Sequence, residues 1–80
     1  MKVYLKPLYG DTYSNTDRAK VQLTKALEFR GSITHIVADD GHIMAEIEIN
    51  PQWDLSAREK VKYLRDWLPT RVHHFEVNFS

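Results

Sequence analysis

The opening of the chain alternates. In KVYLK, residues 2 to 6, Val3 and Leu5 are apolar while Lys2, Tyr4 and Lys6 are polar or amphipathic. A period of two is what a strand with one buried face requires, so the stretch predicts a β-strand. Pro7 has no N–H to donate, and ladder pairing is expected to stop or bulge there. The polar loop GDTYSNTD follows, with Ser14 and Asp17 at the spacing of a capping box. The period then lengthens. From about Thr16 to Arg30, the residues Ala19, Leu23, Ala26 and Leu27 fall at i, i+4, i+7 and i+8, one stripe of a helix. Gly31 is expected to close that helix at its C-terminus.

The second half repeats the logic. SITHIVA is rich in β-branched residues, DDG is a tight-turn signal, and HIMAEIEI sets Ile43, Ala45, Ile47 and Ile49 on one face, so together they predict a β-hairpin. After the loop NPQWD, Ser56 and Glu59 again have capping-box spacing. Ala57, Val61, Leu64 and Leu68 form a second helical stripe, which Pro69 is expected to end. The last run, RVHHFEVNF, places Phe75, Val77 and Phe79 on one face and His74, Glu76 and Asn78 on the other.

The order strand, helix, strand, strand, helix, strand is the split βαβ, or ferredoxin-like, α+β arrangement. Two right-handed crossovers joined by one hairpin force the third strand between the first two and send the fourth to the far side of the first. The expected sheet is antiparallel in the order 4-1-3-2, with both helices on one face, and residues 1–80 are expected to form a single domain.

Composition narrows the partners. Hydrophobic residues at 42% and charged residues at 28% are values of a folding chain, and eleven basic residues balance eleven acidic ones. Zero formal charge supplies no overall field for nucleic acid or an anionic membrane, so neither is expected as a partner. The absence of cysteine removes disulfides and thiolate ligands and fits a reducing, cytoplasmic compartment. No apolar stretch has the length of a signal peptide or of a membrane span.

The neighbouring histidines His73 and His74 look like a catalytic or metal-binding pair. In a strand, adjacent residues point to opposite faces, so they are expected to separate: His73 at the core rim and His74 on the open sheet face. That open face is expected to carry Lys2, Tyr4 and Lys6, then His42, Met44, Glu46 and Glu48, then Val72, His74, Glu76 and Asn78. Tyr4 is its lone aromatic, and Glu46 and Glu48 stand where bases or phosphates would approach, which argues against RNA-domain stacking chemistry. A solvated face with cross-strand Lys and Glu pairs, or one covered by a partner, fits better.

Chain direction collects Asp11, Asp39, Asp40, His42, Arg71 and His73 at one end of the sheet. Of these, Asp11, Asp39, Asp40 and His42 are candidate ligands for Mg²⁺ in phosphoryl chemistry, against the simpler reading of aspartates in turns. The spacing matches no metal signature, and no cofactor is expected. The loop YGDTYSN before the first helix has one glycine and carries Asp11, which opposes anion binding there. Arg18 lacks the glycine-bounded loop that an acylphosphatase-type site would need.

Aromatic residues remain. Tyr63 and Trp67 lie beside the second helical stripe, Phe29 beside the first, and Trp53 precedes the second helix. They either complete a small core or mark an interface, since Trp and Tyr are enriched at binding hot spots. The interface candidates are therefore Tyr4, Met44, Glu46, Glu48, His74, Glu76, Trp53, Tyr63 and Trp67. The expectation is a non-enzymatic protein-binding regulator or inhibitor, of the kind phages and mobile elements encode. Its partner is another protein, or a second copy through an edge strand or the open face. The rivals are a metal-dependent nuclease or phosphoryl-transfer enzyme at the acidic end, and a dimeric small-ligand regulatory domain.

Overall fold

The computed structural model describes residues 1–8, 16–39 and 41–80. The elements run β1 (Lys2–Pro7), α1 (Thr16–Leu27), β2 (Gly31–Asp39), β3 (His42–Ile49), α2 (Ala57–Arg71) and β4 (Phe75–Phe79). The sheet order is β2-β3-β1-β4 with every pair antiparallel. Read from the other edge this is the expected 4-1-3-2, and the fold is a ferredoxin-like α+β sandwich. Alternate residues of the strands, Val3, Leu5, Ile43, Ala45, Ile47 and Phe75, are buried against Ala19, Leu23, Ala26 and Leu27 of α1 and Leu64 and Leu68 of α2. Asp11, Asp40 and Ser14 lie outside the described residues.

Pro7 fits a central strand because its two sides are used unequally. Pairing of β1 with β3 ends at Leu5 opposite Ile43, while pairing with β4 runs on to Pro7 opposite Phe75. A residue without an N–H sits where one ladder has already stopped. The hairpin ladder is also irregular: Ile33 opposes Ile47 and His35 opposes Glu46, which leaves Thr34 as a bulge. The Thr34 hydroxyl donates back to the Glu46 carbonyl at 3.2 Å.

The helix ends depart from expectation in two places. α1 stops at Leu27, and a single 3₁₀ turn, Glu28–Arg30, leads into β2. The left-handed residue there is Glu28, at φ 53°, not Gly31, which is fully extended. Gly31 is needed for a different reason: a Cβ on it would stand 2.8 Å from the Glu48 carbonyl oxygen. α2 starts as expected, with the Ser56 hydroxyl accepting from the Glu59 N–H at 3.2 Å and donating to the Glu59 carboxylate at 2.9 Å. Ala57, however, is exposed, and Lys60 takes the first buried position of the stripe.

Pro69 does not end α2, which continues to Arg71. The proline removes the bond its N–H would have made, but the helix still closes beyond it, with the Val72 N–H donating to the Leu68 carbonyl at 3.0 Å. The extra turn carries Val72 into the core, where it is 4% exposed. Val72 is therefore a core residue and not part of the open face. The extension also removes His73 and His74 from β4, which starts at Phe75. Both histidines are exposed, and His74 sits at φ 71°, a left-handed turn outside strand alternation. The turn is fixed by backbone: the Leu8 N–H reaches the His74 carbonyl at 3.0 Å, and the His73 N–H reaches the Gln22 side chain at 2.6 Å.

These backbone positions make opposite predictions for glycine. Gly31→Ala should cost about 1–2 kcal/mol in urea unfolding, because overlap with a fixed carbonyl outweighs the roughly 0.5–1 kcal/mol gained by restricting the unfolded chain. Glu28→Gly should be neutral to stabilising by about 1 kcal/mol, since relief of a left-handed non-glycine residue exceeds the entropy it adds.

Candidate functional site

Apart from His74, the predicted interface residues fall on two surfaces, one on each layer. On the open side of the sheet, the strand registers set Val37, Met44, Tyr4 and Asn78 in a row across all four strands. Val37, Met44 and Tyr4 are half-buried by their neighbours. Charged positions flank that row: Lys2 and His35 oppose Glu46, and Lys6 opposes Glu76. Glu48 and Glu76 are exposed and Glu46 is half-buried. Opposite charges directly across strands contribute only tenths of a kcal/mol each, but they leave few unmatched charges to attract a ligand. His74, on its turn, is not part of this face.

The helix layer holds the second surface, and it is built from Phe29, Arg30, Trp53, Tyr63, Trp67 and Arg71. The aromatic rings touch in sequence. Phe29 meets Trp53 edge to face at 6.2 Å between centroids, Trp53 meets Tyr63 edge to face at 5.2 Å, and Tyr63 stacks on Trp67 at 5.7 Å. The Arg30 guanidinium lies among them, 4.8 Å from the Phe29 ring centre, 5.2 Å from Tyr63 and 4.6 Å from Trp67. It donates to the Tyr63 hydroxyl at 3.2 Å and to the Glu28 carboxylate at 3.4 Å. Its side chain is 12% exposed, so these contacts form in a largely water-excluded setting where a cation over a ring contributes up to about 2 kcal/mol. Arg71 adds a second guanidinium, 4.2 Å from the Trp67 ring centre.

Each member is positioned by a local need. Tyr63, Trp67 and Arg71 follow at steps of four on α2, so they share one flank of that helix. The Trp67 indole N–H donates to the Ala26 carbonyl at 2.7 Å, satisfying an acceptor in the last turn of α1. Trp53 is held by the turn after β3, where its N–H donates to the Asn50 carbonyl at 3.2 Å. The Asn50 side chain in turn donates to the Phe29 carbonyl at 2.7 Å. Beneath that turn the Lys60 ammonium, in a residue only 9% exposed, donates to the Asn50 carbonyl at 3.1 Å and the Pro51 carbonyl at 3.4 Å. A buried lysine therefore serves as a cap for loop carbonyls. None of the four aromatic residues is fully buried: Phe29 is 58% exposed, and Trp53, Tyr63 and Trp67 are half-buried.

Two depressions border the ring chain. One of about 260 Å³ is lined by Phe29, Gly31, Ser32, Glu48, Asn50 and Pro51, and one of about 370 Å³ by Leu55, Glu59, Lys62, Tyr63 and Asp66. The net-neutral chain also divides its charge. Residues 16–30 and 50–71, the helix layer with its loops, carry nine of the eleven basic residues and five acidic ones, an excess of four positive charges. The rest of the chain carries two basic and six acidic, an excess of four negative. Zero total charge thus hides the positive excess of the helix layer.

At the acidic end, Asp39 opposes His42 in the hairpin register, and His42 is exposed. Asp11 and Asp40 lie outside the described residues, and Arg71 lies on Trp67. Among the described residues no three His, Asp or Glu side chains converge as a metal centre would require, and no helix is long and apolar enough to cross a membrane. Comparison with protein-family models, curated proteins and solved structures finds no match to this chain.

Arg30 is the residue sequence reasoning missed. The spacing of Tyr63, Trp67 and Arg71 is readable on a helical wheel, but the approach of Arg30 from 33 positions away is not. If its guanidinium stabilises the rings as the geometry indicates, Arg30→Met and Trp67→Phe should each cost about 1–2 kcal/mol, and the double variant should fall short of additivity by about 1 kcal/mol in urea unfolding.

Proposed function

We propose that this domain works by binding another protein, as a small regulator or inhibitor, and that its contact surface is the aromatic and arginine cluster on the helix layer. The observation that carries this reading is the state of Phe29, Trp53, Tyr63 and Trp67: ordered into one chain of ring contacts, yet none withdrawn into the core. Trp, Tyr and Arg are the residue types that dominate binding energy at protein interfaces. Here they are already fixed by the Trp67 to Ala26 hydrogen bond and by the Arg30 contacts, so little side-chain freedom is lost on association. The two bordering depressions give the ring chain relief, with Phe29 lining one and Tyr63 the other. The positive excess of the same layer favours approach by an acidic surface.

The experiment is affinity capture from the expressing cells, read by mass spectrometry, with three baits compared at equal folding by thermal melt. The wild-type chain should enrich a specific partner, Phe29→Ser should reduce that enrichment at least roughly tenfold, and Asn78→Lys on the open sheet face should leave it within about twofold. A partner retained by Phe29→Ser, or repeated failure to enrich any partner, overturns the proposal.

A further inference from the structure

The two edges of the sheet differ in how well they are guarded. β4 has five residues, begins behind the left-handed His74, and carries the exposed Glu76 near its middle. β2 has nine residues, Gly31–Asp39, among which there is no Lys, Arg, Glu or Pro. Charged side chains, proline, bulges and shortness are the usual means of keeping an edge from pairing, and of these β2 has the Thr34 bulge and Asp39 at its very end. The Thr34 bulge is its one irregularity, and the Thr34 hydroxyl is turned inward to Glu46. Beyond the bulge the strand is regular. Ile36 and Ala38 lie on the helix side, opposite Ala45 and Ile43, and His35 and Val37 on the open side, opposite Glu46 and Met44. Ile36 and Val37 are half-buried and Ala38 is exposed, so apolar surface remains open on both sides of this edge.

We propose that residues 35–39 of β2 pair antiparallel with the same segment of a second copy, about a two-fold axis at Val37, joining two sheets into one of eight strands. Antiparallel pairing about that point is self-consistent in every position. Val37 meets Val37, Ile36 meets Ala38 on the helix side, and position 35 meets position 39 in the same register. Pairing one residue out of step would set helix-side residues against open-side ones and is excluded by the pleat. The occupant is a second copy because the central residues Ile36, Val37 and Ala38 are apolar and match themselves in this register, and an isologous pairing closes on itself. Joining β2 to β4 would instead be head-to-tail and open-ended, and would begin at the His74 turn. This interface is separate from the aromatic cluster and does not depend on it.

The chain has no cysteine, so a single thiol can report the axis. Directly opposed residues on antiparallel strands have Cα atoms roughly 4.5–5.5 Å apart, within the span of a disulfide. Under mild oxidation Val37→Cys should form a cross-linked dimer at least about tenfold faster than Asp54→Cys, which places an exposed thiol elsewhere. In light scattering over about 10 µM to 1 mM, the wild-type mass should rise from 9.4 kDa towards twice that value. Val37→Lys, with two like charges at the axis and an unchanged melting curve, should hold it at the monomer. Equal cross-linking of the two cysteine variants overturns the proposal, as does a wild-type monomer at about 1 mM. A dimer that survives Val37→Lys but is lost in Tyr4→Lys lies on the open sheet face and also overturns it.

Discussion

Burial of Val3 and Leu5 of β1 against Ile43 and Ala45 of β3 fixes the position of nearly everything else. These two strands are the centre of the sheet, and their pairing is the step that the first crossover and the hairpin must satisfy together. Once it is made, α1 and α2 have one apolar surface to cover and β4 has one open edge to fill. The core that results is small, and its members are mostly Leu, Ile, Val and Ala, with Phe75 the one buried aromatic residue among the described residues. Side chains of that size close the gap between sheet and helices but leave no space for a tryptophan. The large rings are therefore displaced to the margin, where they pack on the core with one face and meet water with the other.

That displacement explains why the polar anchors of the helix layer are long. Lys60, Arg30 and Trp67 each reach across an element boundary to a carbonyl or a ring that belongs to a different segment. In a domain this small a few such ties are a sizeable part of net stability, which for folded proteins is only about 5–15 kcal/mol. They also hold the rings in place, so the features that would make the cluster a good contact surface are the same ones that close the fold. The open sheet face has no comparable construction. Most of its charges have an opposite charge across a strand, and its apolar row is half-buried by its neighbours.

Most of the fold was legible in residue periodicity. β1, the hairpin and the core stripes of both helices were marked by alternation or by steps of three and four, because a buried face must repeat at the period of its element. The departures at the helix ends came where two local rules competed. Gly31 reads as a helix cap, yet the left-handed position fell to Glu28, because the glycine was required where β2 passes close to the Glu48 carbonyl. Pro69 reads as a helix end, yet burial of Val72 one turn later outweighed the lost hydrogen bond. That one extension moved the two histidines out of the strand and dissolved the pattern that had set them on opposite faces.

The sequence by itself determined the element order, the sheet topology and the inward faces, since these follow from hydrophobic period and from the handedness of crossovers. It also determined that the aromatic residues lie beside the stripes and not within them. Only the tertiary structure decided that Phe29, Trp53, Tyr63 and Trp67 come together around Arg30, because contacts between residues tens of positions apart depend on how the helices cross and leave no period in the chain. It likewise decided that a neutral chain has a positive helix layer. Charge balance is a sum over residues, whereas the field a partner meets depends on where the folded chain puts them.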